Sequence, residues 1–371
     1  MGIKTSHSQN NTYITCPQFW DLSYNQGYSN PIEGASTYFG SAVDAAVGEM
    51  LDGKQDWLKT FYDRWNKSWS FGKSTQIFDN PDIIYGHKDF DVHVLEPKDY
   101  PQLEVWAKQL NLMPNTATPA PLDLVDLYKS CAEIKKNPFK NITPDQLSYF
   151  NRASWLSMKR KGKLLLNSFH TQFYPKVKRV LATQQRATIK DEVSGDSITG
   201  FIDMVLEIDG YDKPIIFDLK TAGMPYSQED IDLTQQLALY AAMKGGEYNT
   251  DLVGFVVLCK NIPKKTVNTC TLCSHIRTGR HKTCDNLVNG VRCNGTWSEV
   301  VTPEPVVQVL IEKKTPQQIQ ALLNDIGNII LAMKSGIVYK NTSKCNDWYG
   351  GPCPFYNACH KNDFSGLAKR K

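Results

Sequence analysis

Residues 214–221 read "PIIFDLKT", and this stretch sets how the rest of the chain is understood. Ile215, Ile216 and Phe217 are apolar on both faces of an extended chain, which predicts a central, rigid strand. Residues two apart share a face of a strand, so Asp218 and Lys220 project together and Leu219 points away. An earlier stretch, "SITGFIDMVLEI" (197–208), predicts a second strand and carries Asp203. Asp209-Gly210 between them marks a hairpin turn. If residue 207 pairs with 214, then 203 falls opposite 218 and the two carboxylates meet. A slip of one residue would separate them.

Two adjacent carboxylates repel, and a hard divalent cation relieves the repulsion. Mg²⁺ takes one or two carboxylates, keeps waters and accepts phosphate oxygens. Lys220 beside such a site can orient water or stabilise developing charge. The competing reading is a structural ion pair between Asp218 and Lys220, with Asp203 in a turn. For the triplet "DLK" alone that plainer reading wins. Chain order favours the metal site, because a helix carrying Gln236 and Tyr240 follows. These two are four residues apart and share one helix face.

The surrounding pattern predicts a mixed α/β core. Residues 13–70 read as helical and 71–150, rich in Pro, Asp and Asn, as a variable insertion. Residues 150–182 read as a long basic helix broken near Pro175. From 186 onward the order is strand, strand, strand, helix, strand, insertion, strand, helix. Ser227 caps the first of these helices, with Asp230 completing an acidic capping box, and "DLTQQLALYAAMK" continues it. Thr315, Pro316 and Gln318 start the last one as cap, first turn and box.

Net charge is only +4, but its distribution is uneven. Between Asp145 and Asp191 there are ten Lys or Arg and no acid. Single-sign density of this kind predicts a polyanionic partner. Lys159, Arg160, Lys161, Lys163, Lys178 and Arg179 are the expected DNA-binding residues. Lys260 to Arg292 is a second basic stretch, with seven basic residues against Asp285.

Eight of the ten cysteines fall into two groups, which reads as metal chemistry in a chain without a secretory signal. Cys270, Cys273, Cys284 and Cys293 form a short Cys-x-x-Cys-led segment that predicts a Zn²⁺ site. Cys345, Cys353 and Cys359 lie in the tail, and Cys16 near the N-terminus offers a fourth thiolate. For this second group a zinc site or reduced thiols are the plainer readings.

The segments "GFIDMVLEI", "PIIFDLKT" and "QQLALY" together resemble the PD-(D/E)XK nuclease superfamily, closest to its RecB-like branch. That resemblance implies a restriction-endonuclease-like mixed sheet flanked by helices, a helical N-terminal region and a small zinc-binding insertion. It implies Asp203 and Asp218 as Mg²⁺ or Mn²⁺ ligands, Lys220 as catalytic, and Gln236 and Tyr240 as supports of the site and of DNA. The branch often adds Gly-x-x-x-His before the core. "GSAVD" (40–44) matches it, with Asp44 standing where His is usual and taken as a third ligand. The cysteines resemble those of AddB-type and CRISPR-associated iron–sulfur exonucleases, which bind a 4Fe-4S cluster through one Cys before the core and three after it. Here seven residues, rather than the usual two, separate Cys345 from Cys353.

The expected parts are an N-terminal helical region (1–70), a variable insertion (71–150), a nuclease core (151–344) with its zinc insertion (261–298), and an iron–sulfur tail (345–371). The expected function is metal-dependent DNA hydrolysis, exonucleolytic rather than endonucleolytic, in recombination, repair or phage DNA processing. The other reading is an inactive nuclease fold that binds DNA or scaffolds a complex. A helicase or recombination protein is an expected partner, a membrane is not, and the cytoplasm is the expected location.

Overall fold

The computed structural model describes residues 2–30, 35–70, 94–109, 144–191, 193–278, 283–346 and 353–369. The expected variable insertion therefore lies mostly outside the described residues, including Pro81-Asp82, which the sequence reads as a turn, and Cys131, which belongs to neither cysteine group.

The chain opens with strand β1 (Lys4–Ser6), helices α1 (His7–Thr15) and α2 (Pro17–Trp20), and strand β2 (Tyr28–Ser29). Helices α3 (Ala35–Leu51), α4 (Trp57–Ser70), α5 (Tyr100–Gln109) and α6 (Pro144–Ser168) follow. The core continues through β3 (Val177–Lys190), β4 (Ser197–Ile208), β5 (Ile215–Ala222), α7 (Gln228–Leu233), α8 (Gln235–Lys244) and β6 (Leu252–Cys259). Short strands β7 (Lys264–Cys270), β8 (Ile276–Thr278), β9 (Leu287–Val288), β10 (Val291–Arg292) and β11 (Trp297–Pro303) make the insertion. Strand β12 (Val307–Lys313), helix α9 (Pro316–Lys334), helix α10 (Tyr356–Lys361) and strand β13 (Ala368–Lys369) complete the chain.

The main sheet runs β1-β4-β5-β6-β12, with β3 also paired to β4. Pairs β1–β4 and β5–β6 are parallel, and the others are antiparallel. Ile215, Ile216 and Phe217 are fully buried, as the apolar run predicts. Ile215 and Phe217 face a core built with α3, α4 and α6, and Ile216 faces the core under α8. Burying each such side chain is worth about 1.5–3 kcal/mol, so β5 is held from both faces.

Two sequence expectations need correction. The basic helix does not reach residue 182. It ends at Ser168, passes through a π turn (Phe169–Phe173) and a 3₁₀ turn, and β3 begins at Val177. Pro175 removes a helical donor and Val177 and Val180 are β-branched, which favours extension. The helix after Ser227 is likewise two helices, because Thr234 is extended (φ −69°, ψ 120°) between α7 and α8. Both capping boxes form as read, at Ser227/Asp230 and Thr315/Gln318. Helix α6 runs through position 150, where the sequence suggests a boundary.

Candidate active site

The β4–β5 ladder sets Met204 opposite Phe217, Val205 opposite Ile216 and Leu206 opposite Ile215. That is the register in which 203 faces 218. The backbone ladder stops at Met204. Beyond it, Asp203 Oδ2 accepts the Leu219 backbone N–H at 2.8 Å, so a side chain takes over where the strands part. Strand β1 pairs with the same β4 at residues 197–199. Asp203 therefore sits between two strands that share one strand's side, at a gap in the sheet.

Asp218 is only 2 % exposed. Its Oδ1 accepts from Gln236 Nε2 at 2.7 Å, and its Oδ2 lies 2.7 Å from Lys220 Nζ. The Lys220 contact is an ion pair without hydrogen-bond alignment, so Oδ2 is a buried oxygen with no hydrogen bond. Gln236 ties the group together. Its Oε1 accepts from Lys220 at 2.9 Å, while its Nε2 also donates to the Tyr240 hydroxyl at 2.7 Å. Four-residue spacing on α8 makes this fork possible. Gly200 lets α8 approach β4, since a Cβ there would stand 3.2 Å from Tyr240 Cε1.

Asp44 joins from α3. A Cβ on Gly40, one turn earlier, would stand 3.3 Å from Thr221 Oγ1, so the glycine admits α3 close to β5. Asp44 Oδ1 accepts from Gln184 Nε2 at 2.8 Å. Gln184 sits on β3 in the left-handed region (φ 47°), at the rung facing Asp203. A non-glycine residue is strained there, and such strain gathers at functional sites.

The electrostatics are those of crowded carboxylates. Burial, then the charges of Asp218 and Asp44, push Asp203 up to about 8. Burial also raises Asp218, against the pull of Lys220. Asp44 is raised first by burial, with Asp218 adding to it. The Tyr240 hydroxyl is raised by burial and by Asp218. His7, at the start of α1, belongs to this neighbourhood. Burial and the charge of Lys220 push it down to about 4. A neutral ring can accept at Nε2 from Asn11 Nδ2, 2.9 Å away. No sequence pattern marks His7 or Gln184, because both depend on which strands pair with β4.

Most of the expected DNA-binding residues meet an acid or are buried, while Lys178 and Arg179, though paired, keep 55 % and 64 % of their side chains exposed. Arg160 forks onto Asp99, and Lys163 pairs with Glu96 at 3.1 Å. Lys161 is 3 % exposed. Lys159 bonds Asn66 at 2.9 Å and lies over the rings of Tyr62 and Trp155. Lys178 pairs with Asp209 at 3.4 Å and Arg179 with Glu207 at 2.5 Å. The run lacks acids along the chain, but other elements supply them in space.

The four insertion cysteines converge, with all sulfur atoms within 4.8 Å of one another. Cys270 and Cys293 are 3.5 Å apart, Cys273 and Cys284 3.6 Å. Sulfurs 2.3 Å from one tetrahedral ion would be about 3.8 Å apart, so the group can hold a single metal ion. His275 Nα–H holds the Cys273 thiol below its ordinary value. His281, a candidate substitute ligand, lies outside the described residues.

Cys16, Cys345, Cys353 and Cys359 line one small cavity of about 20 Å³, with Phe19 and Phe355. Burial, with the charges of the other three thiols, pushes Cys353 up to about 11. Among the described residues only the insertion cysteines bring three or more ligand atoms within 4.8 Å.

A family model for the PD-(D/E)XK nuclease superfamily matches residues 120–360. No curated protein matches the chain at a significant level.

Proposed function

The chain belongs to the PD-(D/E)XK nuclease superfamily, and from that premise we propose that it is a Mg²⁺- or Mn²⁺-dependent deoxyribonuclease of the RecB-like type, acting on DNA ends. The observation that carries this reading is the meeting of Asp203, Asp218 and Lys220 at the parting of β4 and β5.

The residues suit a divalent cation. Asp218 has a buried oxygen whose close partner is the Lys220 ammonium, and burial with the charges of Asp218 and Asp44 raises the proton affinity of Asp203. Asp203, Asp218 and Asp44 would hold the ion. A bound divalent ion supplies a nucleophilic hydroxide near neutral pH and neutralises charge on the scissile phosphate. Gln236 fixes Asp218 and Lys220 in one orientation. Lys220, 29 % exposed, has its ammonium held between Asp218 and Gln236, where it could orient the attacking water or meet developing negative charge. Asp44 stands where the branch usually has an imidazole, the feature that best supports an inactive scaffold, and the retention of Asp203, Asp218 and Lys220 together argues against that reading.

The tail cysteines would hold a 4Fe-4S cluster. Support comes from the shared cavity that brings all four cysteines together from the two ends of the chain. The insertion cysteines would hold Zn²⁺, giving residues 261–298 a fold that their small apolar content does not. The core, insertion and tail act as parts of one enzyme, and a helicase or recombination protein would be its natural partner.

The deciding experiment is digestion of end-labelled linear DNA and closed circular DNA with added Mg²⁺ or Mn²⁺. Asp218→Ala and Lys220→Ala should abolish degradation while leaving circular dichroism unchanged. Normal cutting by both variants overturns the assignment. Sparing of the circle identifies exonucleolytic action. DNA binding by the wild type without cutting would favour the inactive scaffold.

A further inference from the structure

Helices α3 and α4 enclose an open cavity of about 540 Å³, lined by Tyr38, Ser41, Ala42, Arg64 and Lys67. Thr60 Oγ1 donates to Glu49 Oε2 at 2.5 Å, which sets the two helices antiparallel. Along this pairing, Arg64 and Lys67 run back beside α3 from the level of Asp44 toward Ser41 and Tyr38. Ser41 and Asp44 are three residues apart on α3, and Arg64 and Lys67 three apart on α4, so each pair shares one helix face. Asp44 therefore lies one turn beyond Ser41 on the α3 face that lines the cavity. After the larger effects of burial, Gln184 and Asp218, the charge of Arg64 also favours the ionised form of Asp44.

Both cations are exposed. Among the described residues neither has an ion pair or hydrogen bond, whereas five of the six basic residues first expected to bind DNA are ion-paired or buried. Two accessible cations, a serine hydroxyl and a tyrosine beside a carboxylate metal site make a surface for a chain of phosphodiesters. Phosphate accepts from guanidinium and ammonium, and the aromatic ring offers a face for a base.

We propose that the α3–α4 groove is the binding track for DNA flanking the scissile bond, with Arg64 and Lys67 each contacting a backbone phosphate. This rests on the nuclease reading above and adds the path that the substrate takes to the site. Neither residue touches the reacting atoms, so both are positioning residues.

The test measures DNA binding as a function of salt in the Asp218→Asn background, and cleavage kinetics in the wild-type background. Arg64→Ala/Lys67→Ala should weaken binding about tenfold or more near 0.1 M salt and flatten the log–log salt dependence by about 2, one contact per cation. KM for DNA should rise while kcat at saturating DNA stays within about twofold. Arg64→Lys/Lys67→Arg should restore most of the affinity, since charge rather than shape is at issue. Unchanged affinity and salt slope in the alanine pair, with wild-type cleavage intact, overturns the groove and leaves the nuclease standing. A loss that the charge-conserving pair fails to rescue also overturns it. A wild type that neither binds nor cuts DNA overturns both.

Discussion

Asp203 carries the sharpest consequence at the scale of single residues. Its carboxyl ordinarily titrates near 3.8, and in the folded chain it is pushed up to about 8. Between those values the folded state holds a proton that the unfolded state has lost, so stability falls as pH rises through the window. The metal-free protein should therefore melt lower at pH 8 than at pH 5.5 on account of this group. Asp203→Asn should reduce that slope while abolishing cleavage. Added Mn²⁺ should raise Tm more at pH 8 than at pH 5.5, because protons compete for the same oxygens at the lower pH. Thermal melts at the two pH values check all three, and a metal-independent Tm would contradict the site. Gln184 offers a second check. Gln184→Ala removes the donor that orients Asp44, and such supporting contacts are typically worth 10–100-fold in metal affinity or activity. Metal titration of the cleavage rate reads this as a raised metal requirement.

The governing feature among secondary-structure elements is close approach. Helix α8 delivers Gln236 and Tyr240 because Gly200 leaves room on β4, and α3 delivers Asp44 because Gly40 leaves room beside Thr221. Gly200→Val should push α8 outward and lower kcat at least tenfold, with a smaller effect on Tm than a core truncation. Gly40→Ala should act in the same direction but more weakly, since 3.3 Å to a hydroxyl is a milder conflict. Steady-state cleavage and melting of each variant separate the two effects. These elements were largely legible in the sequence. The apolar run 215–217, the 203/218 register and both capping boxes rest on neighbours a few residues apart. The overrun of the basic helix past Ser168 shows the limit, because Met158, Leu165, Phe169 and Phe173 keep one apolar side whether the last turns are α or π.

Across the whole molecule, the two ends of the chain meet. Tyr13 donates to the Ile337 carbonyl at 2.6 Å, Asn341 to Thr15 at 2.8 Å, and β2 pairs with β13. The Cys16, Cys345, Cys353 and Cys359 cavity lies at this junction. A cluster there would close most of the chain into one loop. Cys16→Ser should then lose the visible iron–sulfur absorbance and lower Tm by several degrees. Cys284→Ser should release zinc and leave iron unchanged. Metal content by elemental analysis decides, and two zinc ions with no iron would refute the tail reading. Among the described residues no helix is long and apolar enough to cross a membrane.

The sequence by itself determined the mixed α/β class, the central strand, the Asp203–Asp218–Lys220 order, the Gln236/Tyr240 pair and the two cysteine groups. Each of these is written in periodicity, caps or spacing over short stretches of chain. Tertiary structure alone decided that Asp99, Glu96, Glu207 and Asp209 pair with four of the ten cations of the basic run. It also brought His7 and Gln184 to the site and left Arg64 and Lys67 open beside Asp44. The physical reason is that charge pairing and carboxylate crowding depend on distance in space, and partners from about 20 to more than 200 positions apart in sequence leave no local pattern to announce it.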